Sequence, residues 1–359
     1  MTTAHLNRIG TAVPSHDVHG TFVDFAAGLL GEPRKQAVFA RMAERSGIEH
    51  RRSPLKPTGA AGAAIEAEAF YRRGSFPSTG ERMRLYAASA PDLAVEAVAA
   101  LGPEEDLSGV THLIVVSCTG FTAPGLDLEL VARLGLDPGV ERTIVGFMGC
   151  YAGINALRLA RHIVRSDAAA RVLVVCLELC TLHLQETDDL EQVLSFLVFG
   201  DGCAAALVSA EPTGIALDRF RTLLSPEDPG LITWTIGDGG FEMVLSGKVP
   251  AAVSRALAAH GRDLFGNAAP EDVPLWAVHP GGRSVLDAVE AAFALPADRL
   301  AASRGVLRRY GNMSSASVLF VLADVLAARP AAGEAGFACA FGPGLTAETM
   351  HFRVAGGHA

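Results

Sequence analysis

The chain has 359 residues, of which 50% are hydrophobic and 19% charged, and its 39 acidic against 30 basic residues give a formal net charge of -9. This composition excludes a disordered chain and a coiled coil, and the acidic balance argues against a protein that binds nucleic-acid phosphates. No apolar run reaches the roughly 20 residues that span a bilayer, and the N-terminus lacks the apolar stretch of a signal peptide. We therefore expect a cytoplasmic protein without membrane insertion, built from about two domains or one duplicated domain.

Strand-length apolar runs alternate with amphipathic or alanine-rich stretches from about residue 112 onward. Before Pro212, the pattern predicts strands at 112–118, 143–147, 171–177 and 204–209 and helices at 127–134 and 151–164. After Pro212, it predicts strands at 215–223, 275–278, 337–341 and 349–354 and helices at 253–264, 284–294 and 317–328. Strands that alternate with helices predict an α/β fold in which helices pack on the faces of sheets.

A weak internal repeat indicates that the fold is duplicated. The four-residue turns that begin at Phe199 and Phe341 share the pattern F-G-x-G, and each lies near the end of one half of the chain. Upstream of each turn, a glycine and a polar residue introduce a predicted helix. We therefore predict two α/β halves, 1–211 and 212–359, whose equivalent helix starts face one another and form a shared site.

Cys150 is the first candidate for chemistry, because it lies in the segment GFMGCYAG between a predicted strand and a predicted helix. Its small neighbours Gly149 and Gly153 leave the sulfur accessible and allow the backbone to turn sharply. The N-terminus of a helix carries about half a positive charge, which lowers the pKa of a thiol and favours the nucleophilic thiolate. We predict an ionised nucleophile at Cys150; the alternative is a buried structural cysteine.

The cysteine pattern also bears on disulfides and metals. The six cysteines lie mostly inside apolar runs, so we expect free thiols in a reducing compartment. The sequence has no C-x-x-C pair and no Cys/His cluster at zinc spacing, so we expect no metal.

His279 and Asn312 are the other two candidates. His279 ends an apolar strand and is followed by Pro-Gly-Gly, and Asn312 comes shortly before the predicted helix at 317–328. Taken singly, they fit a hydrogen-bonded core histidine and a helix N-cap. Because Cys150, His279 and Asn312 all lie at element ends, we predict that they form one constellation.

Metal-free chemistry with cysteine, histidine and asparagine has two enzymatic interpretations. A thiolate can accept an acyl group as a thioester, and histidine and asparagine N–H groups can stabilise the enolate that forms when a malonyl thioester loses CO2. A cysteine hydrolase uses the same residue types, with the asparagine orienting the histidine. A non-catalytic acyl-CoA-binding protein is a third possibility, although binding alone needs no thiolate. The duplicated α/β pattern favours thioester chemistry.

Five segments in this order resemble the type III polyketide synthases, the chalcone synthase-like family. They are GFMGCYAG, VFGDGCAAALV, AVHPGG, RRYGNMSSASVLFVL and FGPGLT, and the resemblance runs from about Phe39 to the C-terminus. Ketoacyl-acyl-carrier-protein synthase III enzymes share the fold and the three residues. They typically carry His-Gln-Ala-Asn where this chain has His279-Pro-Gly-Gly, which favours the polyketide branch. A condensing enzyme of that second type, using an acyl carrier, is the alternative.

The resemblance implies a thiolase-like duplicated αβαβα layered fold and a homodimer. It implies an acyltransferase that condenses malonyl-CoA repeatedly, with decarboxylation, onto an acyl-CoA starter, so that CoA thioesters are substrates and no cofactor is needed. Cys150 would hold the growing chain, while His279 and Asn312 would stabilise the enolate and the condensation oxyanion. The segments GFMGCYAGINAL and WTIGDGGFEMVLSG resemble bacterial alkylpyrone and alkylresorcinol synthases. This favours a fatty acyl starter and a pyrone or resorcinol product.

The resemblance also implies residues that shape the substrate cavity. Phe199 matches the family's gatekeeping phenylalanine, and Met243 stands where plant members have a second one. Because methionine is more flexible than phenylalanine, we expect a longer or bulkier starter to pass. The remaining predicted cavity positions are Cys118, His183, Trp234 and Pro343.

CoA contacts are implied at two groups of positions. Arg41 and Arg45 match two of the family's three basic contacts, and Gly281 and Ser284 would lie beside the pantetheine arm. The third basic contact matches Val38, which carries no charge. We expect a nearby cation, Arg34 or Lys35, to substitute for it.

Overall fold

The computed structural model describes residues 2–58, 69–103, 105–266 and 268–356. The helices are α1 (His19–Leu29), α2 (Pro33–Arg45), α3 (Thr79–Ala99), α4 (Leu126–Leu134), α5 (Ala152–Ser166), α6 (Leu190–Val198), α7 (Val249–Phe265), α8 (Arg283–Ala292), α9 (Ala301–Tyr310) and α10 (Ser317–Ala327). The strands are β1 (His5–Ala12), β2 (His16–Asp17), β3 (Arg52–Ser53), β4 (His112–Ser117), β5 (Glu141–Gly146), β6 (Val172–Leu179), β7 (Asp201–Ser209), β8 (Ile215–Leu224), β9 (Ile232–Gly237), β10 (Gly240–Leu245), β11 (Leu275–Val278), β12 (Ala335–Gly342) and β13 (Thr346–Val354).

The main sheet repeats one strand order in the two halves of the chain. Its nine strands are arranged β11-β12-β13-β8-β1-β7-β6-β4-β5. In the first half, β4 and β6 are parallel, and β7 and β1 continue the sheet in antiparallel pairs. In the second half, β11, β12, β13 and β8 have the same order and the same relative directions. This repeated topology confirms the predicted duplicated α/β fold.

The half-sheets meet where β1 pairs with β8, at His5 with Ala216 and Leu6 with Ile215. The predicted division between residues 211 and 212 lies in the turn from β7 to β8. It stays a prediction, because the sheet is continuous across the junction. Within the described ranges, no helix is long and apolar enough to cross a membrane.

Three apolar cores separate five layers of structure. Alternate residues of β6 point to opposite faces, so Leu173 and Val175 join an outer core with α3, while Val172 and Val174 join a central core. The central core packs α5 and α10 between the half-sheets, and the third core packs α7 and α8 on the outside of the second half-sheet. The order is therefore helix, sheet, helices, sheet, helix, as the αβαβα expectation requires.

The central layer brings the starts of its two helices together. A Cβ at Gly153 in α5 would lie 2.4 Å from the carbonyl oxygen of Ser315, just before α10. Glycine at this position therefore allows a backbone approach that no other residue permits. As a result, Cys150 before α5 and Asn312 before α10 lie close to one another.

Candidate active site

A tight turn after β5 delivers Cys150 to the centre of the molecule. Gly149 has a φ of +82°, and a Cβ on it would lie 2.5 Å from Cδ of Pro343 in the second half. Both the backbone conformation and the close contact therefore require glycine here. Cys150 follows immediately, and Tyr151 is the N-cap of α5. Cys150 is half-buried and lines a cavity together with Pro343 of the F-G-P-G turn in the other half.

Asn312 is held with its side-chain amide beside Cys150, and the thiol lies 3.9 Å from its Oδ1. Its backbone N–H donates to the Val198 oxygen (2.7 Å), and its carbonyl oxygen accepts from the Gly200 N–H (2.9 Å). The side-chain Oδ1 accepts from the Ser314 N–H at 2.8 Å, which fixes the orientation of the amide. Its Nδ2 lies 4.0 Å from Cys150 Sγ and donates to the Gly281 oxygen at 3.4 Å.

His279 presents a buried imidazole with both nitrogens unused. It directly follows β11, and its backbone N–H donates to the Cys339 oxygen at 2.8 Å. The side chain is buried, and neither Nδ1 nor Nε2 has a hydrogen-bond partner among the described residues. Burial lowers the pKa of His279 to about 3, so the ring is neutral at physiological pH. Because buried polar atoms are nearly always paired, these nitrogens indicate a place for a ligand.

The three predicted residues line one cavity of about 360 Å³, which we call the triad chamber. Its other walls are almost entirely apolar and come from both halves: Phe199, Ile232, Met243, Leu245, Val249, Gly281, Val285 and Phe341. The structure therefore brings together the cysteine, histidine and asparagine that the sequence places far apart.

The predicted ionisation of Cys150 is wrong for the free protein. Burial raises the pKa of its thiol to about 11, although hydrogen bonds from Ser314 and Asn312 act in the opposite direction. Buried Glu178 nearby also disfavours a second negative charge. Desolvation by the surrounding protein is therefore the largest effect on this thiol, and it favours the neutral form. Thiol and imidazole are both neutral at pH 7.

A second cavity of about 360 Å³, the inner chamber, lies beyond Cys150. It is lined by Cys150 and by five of the predicted cavity residues: Cys118, Phe199, Trp234, Met243 and Pro343. The Trp234 indole N–H donates to the Cys118 oxygen at 2.7 Å, and the Gly149 N–H donates to Cys118 Sγ at 3.1 Å. Burial raises the pKa of Cys118 well above its ordinary value, so this second thiol is neutral and forms part of the chamber wall.

His183 was predicted to line the cavity, but the structure places it behind the wall. Its ring stacks on Phe241 at 4.2 Å and meets the edge of Trp234 at 5.5 Å. The Phe241 N–H donates to Nδ1 at 3.1 Å, so Nε2 carries the proton and donates to the Thr119 oxygen at 2.7 Å. His183 therefore braces Trp234 with both of its nitrogens satisfied.

Glu178 is a buried residue of the site that the sequence analysis missed. Its carboxylate accepts from the Cys118 N–H and the Thr119 hydroxyl, both at 2.9 Å, and from the Ser315 hydroxyl. Burial raises its pKa to about 7. The residue ties the end of β4 to the turn before α10. Its signal in the sequence is a lone acid inside the apolar strand VLVVCLEL.

A surface groove of about 1760 Å³ leads into the triad chamber. Leu245, Val249, Gly281 and Val285 line both spaces. The groove also holds Arg45 and Ser284, which were predicted as CoA contacts, and Arg283, which was not.

The other predicted CoA cations lie differently. Arg41 lies one helical turn before Arg45 on α2 and is exposed, outside the set that lines the groove. Arg34 and Lys35 also lie outside the set that lines the groove, and Lys35 is paired with Glu32 and Asp188 at 3.3 and 3.8 Å. Across the described part of the chain, no three His, Cys, Asp or Glu side chains are grouped to hold a metal ion.

Two family models cover nearly the whole chain. Residues 2–212 match the N-terminal domain of chalcone and stilbene synthases, and residues 219–355 match the C-terminal domain of the same enzymes.

Individual relatives agree with this match. The alpha-pyrone synthesis polyketide synthase-like Pks18 of Mycobacterium tuberculosis is 32% identical over 98% of this chain and 92% of its own length. Bisdemethoxycurcumin synthase of Oryza sativa is 33% identical over 95% of this chain and 90% of its own length. Among solved structures, PKS-I from the brown alga Ectocarpus siliculosus has a TM-score of 0.86 at 28% identity and covers 99% of both chains. The type III polyketide synthase domain of Steely1 from Dictyostelium shares the fold, with a TM-score of 0.89 at 24% identity over 98% of this chain and 99% of that domain.

Proposed function

The chain belongs to the chalcone and stilbene synthase family and is a type III polyketide synthase, and on that premise we propose that it converts a fatty acyl-CoA and malonyl-CoA into an alkylpyrone. The observation that carries the proposed chemistry is the triad chamber. One cysteine, one imidazole with open nitrogens and one oriented amide face an apolar space that is reached from a groove.

The first step is transfer of the starter to Cys150. The thiol attacks the carbonyl carbon of the acyl-CoA while neutral His279 accepts its proton, and the CoA sulfur leaves and is then protonated. Because both groups are neutral at rest, no preformed ion pair is required. The product is a thioester on Cys150 and free CoA.

The second step is decarboxylation of malonyl-CoA in the same chamber. Asn312 Nδ2–H and an N–H of His279 donate to the thioester oxygen as its negative charge develops, and CO2 leaves. The apolar walls disfavour the malonyl carboxylate and so favour its loss as neutral CO2. The enolate carbon then attacks the acyl carbon on Cys150, the bond from that carbon to Cys150 Sγ breaks, and the sulfur leaves and is protonated, so that the extended chain remains attached to CoA.

The groove supports a CoA site with two cations. Arg45 and Arg283 both lie on its wall, and an Arg283 Nη1–H donates to the Arg45 oxygen at 3.3 Å. Guanidinium groups bind phosphate through paired N–H donors. Arg283 Nε lies 3.8 Å from Asp287 Oδ2, and because Arg283 lines the groove it would supply the charge that Val38 lacks.

A second copy of the chain is the proposed partner at β5. This strand ends the sheet, and its neighbourhood exposes Ile144 (50%), Phe121 (39%) and Met148 (38%). An exposed apolar edge strand is a strong site for pairing with another strand. We expect Ile144→Lys to shift the protein from dimer to monomer in light scattering; an unchanged mass would contradict this interface.

Product analysis tests the proposed function. Purified enzyme receives dodecanoyl-CoA and malonyl-CoA without any carrier protein, and products are identified by mass spectrometry. We expect pyrones that contain at least two malonyl-derived units. Release of free fatty acid without CO2 would instead identify a hydrolase, and extension only with a carrier protein would identify a synthase III-like enzyme.

A further inference from the structure

A buried arginine, Arg51, holds the segment to which the backbone of Asn312 is bonded. Arg51 directly precedes β3, and only 2% of its surface is exposed. We propose that Arg51 is a positioning residue that sets the place of the Asn312 amide for the decarboxylation of malonyl-CoA. This inference rests on the proposed function of Asn312 and adds a residue that lines neither of the two chambers.

The end of α6 leaves carbonyl oxygens that need donors from elsewhere in the molecule. The last four carbonyl groups of any α-helix lack N–H partners within the helix. Arg51 Nη1 donates to the oxygens of Phe196 and Phe199, both at 2.8 Å. The Asn312 N–H donates to the Val198 oxygen at 2.7 Å. Arg51 and Asn312 therefore cap the end of α6 together.

The two caps act on neighbouring residues of one segment. The Val198 oxygen and the Gly200 N–H both bond the Asn312 backbone, at 2.7 and 2.9 Å. Phe199 lies between these two residues and forms the β-bridge to Asn312. Because Arg51 holds the Phe199 oxygen, it fixes the residue on which this bridge is centred. A shift of Phe199 would move both backbone hydrogen bonds of Asn312 at once.

The aliphatic stem of Arg51 packs against both segments of the bridge. A Cβ on Gly200 would lie 3.5 Å from Arg51 Cβ, and a Cβ on Gly311 would lie 2.9 Å from Arg51 Cγ. Gly311 has a φ of +71°, and its Cβ would also lie 2.7 Å from the Val198 oxygen. Glycine at position 311 therefore allows the Arg51 stem to lie against the residue next to Asn312.

The guanidinium of Arg51 is charged and is itself held in place. Burial lowers its pKa to about 9, so it keeps its positive charge at pH 7. Its Nε donates to His19 Nδ1 at 2.9 Å, and its central carbon lies 4.4 Å from the centre of the Phe22 ring. A charged donor forms a stronger hydrogen bond than a neutral one. Loss of Arg51 would leave the buried oxygens of Phe196 and Phe199 without this donor.

The contacts of Arg51 affect the amide of the site rather than its nucleophile. An oxyanion donor must lie within hydrogen-bond distance of the developing charge, and a displacement of about 1 Å can cost roughly 10²-fold in rate. Cys150 is placed by a different set of contacts, among them the bond from the Gly149 N–H to Cys118 Sγ. Loss of Arg51 should therefore impair decarboxylation more than acyl loading.

Arg82 provides a matched control, because its guanidinium is buried in the same way but bonds a different segment. Its Nη1 also donates to two carbonyl oxygens, those of Leu182 and Leu184 after β6. Its guanidinium lies over the Tyr71 ring, 5.3 Å from the ring centre. Replacement of Arg82 by methionine therefore reproduces the loss of a buried guanidinium without releasing the oxygens that Arg51 bonds.

Two rates are compared in each protein: CO2 release from malonyl-CoA, and loading of Cys150 by butanoyl-CoA, followed by intact-protein mass spectrometry. We expect Arg51→Met to lower CO2 release at least tenfold while loading falls less than threefold. Arg82→Met should lower both rates by the same factor, as a loss of stability does. An equal loss of both rates in Arg51→Met overturns the proposal. If Arg51→Met does not fold, Arg51→Lys decides, because its ammonium is one atom short of the position of Nη1. A ratio of CO2 release to loading at least threefold below that of the wild type then supports the proposal, and a smaller change overturns it.

The double variant tests whether Arg51 acts through Asn312. In the Asn312→Ala background, Arg51→Met should change CO2 release less than twofold, because the amide that Arg51 positions is already gone. A further loss of twofold or more would show a separate effect and overturn the positioning role. The two proposals also fail in different ways. If Asn312→Ala alone leaves CO2 release unchanged, the proposed function of Asn312 is wrong. If Asn312→Ala lowers it and Arg51→Met does not, only the inference about Arg51 is wrong.

Discussion

The two halves of the molecule share one scaffold and carry different chemistry at equivalent places. The F-G-x-G turns precede β7 and β13, which occupy matching positions in the half-sheets, and both Phe199 and Phe341 line the triad chamber. The helices α5 and α10 also correspond, but Cys150 stands before the first and Asn312 before the second. Duplication thus supplies the positions, and divergence assigns the nucleophile to one half and the amide donor to the other.

Removal of the nucleophile should have the largest effect on activity, because the nucleophile belongs to one half alone. We expect Cys150→Ala to abolish acyl loading completely, because no other sulfur in the two chambers is ionisable near neutral pH. Intact-protein mass spectrometry after incubation with an acyl-CoA checks this. Cys176→Ala, which changes a buried thiol of the central core, is the control and should load normally. An acyl adduct retained on Cys150→Ala would contradict the assignment.

Removing the amide should spare loading and suppress condensation. Loss of one oxyanion donor typically costs about 10²–10³ in rate, so we expect Asn312→Ala to lower pyrone formation by that factor. Asn312→Asp should be at least as poor, since its carboxylate repels the enolate. Acyl loading on Cys150 should fall only a few-fold in either variant. An equal loss of loading and condensation would show that Asn312 supports the fold of the site rather than the enolate.

The ionisation of Cys150 can be measured without substrate. A raised pKa means a smaller thiolate fraction at a given pH, about one part in ten thousand at pH 7 for a pKa of about 11. We expect alkylation by iodoacetamide to accelerate about tenfold per pH unit between pH 7 and 9. A rate that is already constant from pH 6 upward would reveal a resting thiolate–imidazolium pair shared between the halves.

Met243 affects the path of the substrate between the two chambers, and it takes no part in the reaction itself. It lines both chambers, so a rigid ring there narrows the path past Cys150. We expect Met243→Phe to reduce dodecanoyl loading several-fold relative to butanoyl loading, and Met243→Leu to leave the ratio near that of the wild type. A ratio that is the same in all three proteins would remove Met243 from the path.

Glu178 links the halves through Cys118 and Ser315, and it should give the smallest effect, on stability. Its pKa in the folded protein, about 7, is higher than the ordinary 4.5, so the folded state binds the proton more tightly. This group's contribution is therefore fully present below pH 4.5 and is lost as the pH rises through 7. We expect Glu178→Gln to lose less Tm than the wild type between pH 5 and 8. Parallel Tm curves would contradict a buried titrating carboxyl.

The fold was largely predictable where apolar runs are continuous. The strand predicted at 275–278 has the same bounds as β11, and the run at 171–177 lies within one residue of β6 at its start. Helix α3 was not predicted, because it is alanine-rich and contains Pro91, although Ser78 and Glu81 form a capping box at its start. The hairpin of β9 and β10 was also missed, because its alternation of polar and apolar residues is short and rich in glycine.

The site was predictable to the extent that it depends on local chain features. Cys150, His279 and Asn312 each end an element, and that pattern is visible in the sequence. The ionisation of Cys150 depends on walls such as Ile232 and Val249, which come from distant segments, so the direction of its pKa shift could not be predicted. The place of His183 could not be predicted from the sequence either, because only its packing against Phe241 reveals that the ring lies behind Trp234.

The release of CO2 from malonyl-CoA by the Cys150→Ala and Asn312→Ala proteins tests the division between the halves most directly. Decarboxylation needs the amide and the imidazole but no nucleophile, so Cys150→Ala should still release CO2 while Asn312→Ala releases at least tenfold less. If Cys150→Ala released none and Asn312→Ala released CO2 at the wild-type rate, the assignment of the two steps to the two halves would be wrong.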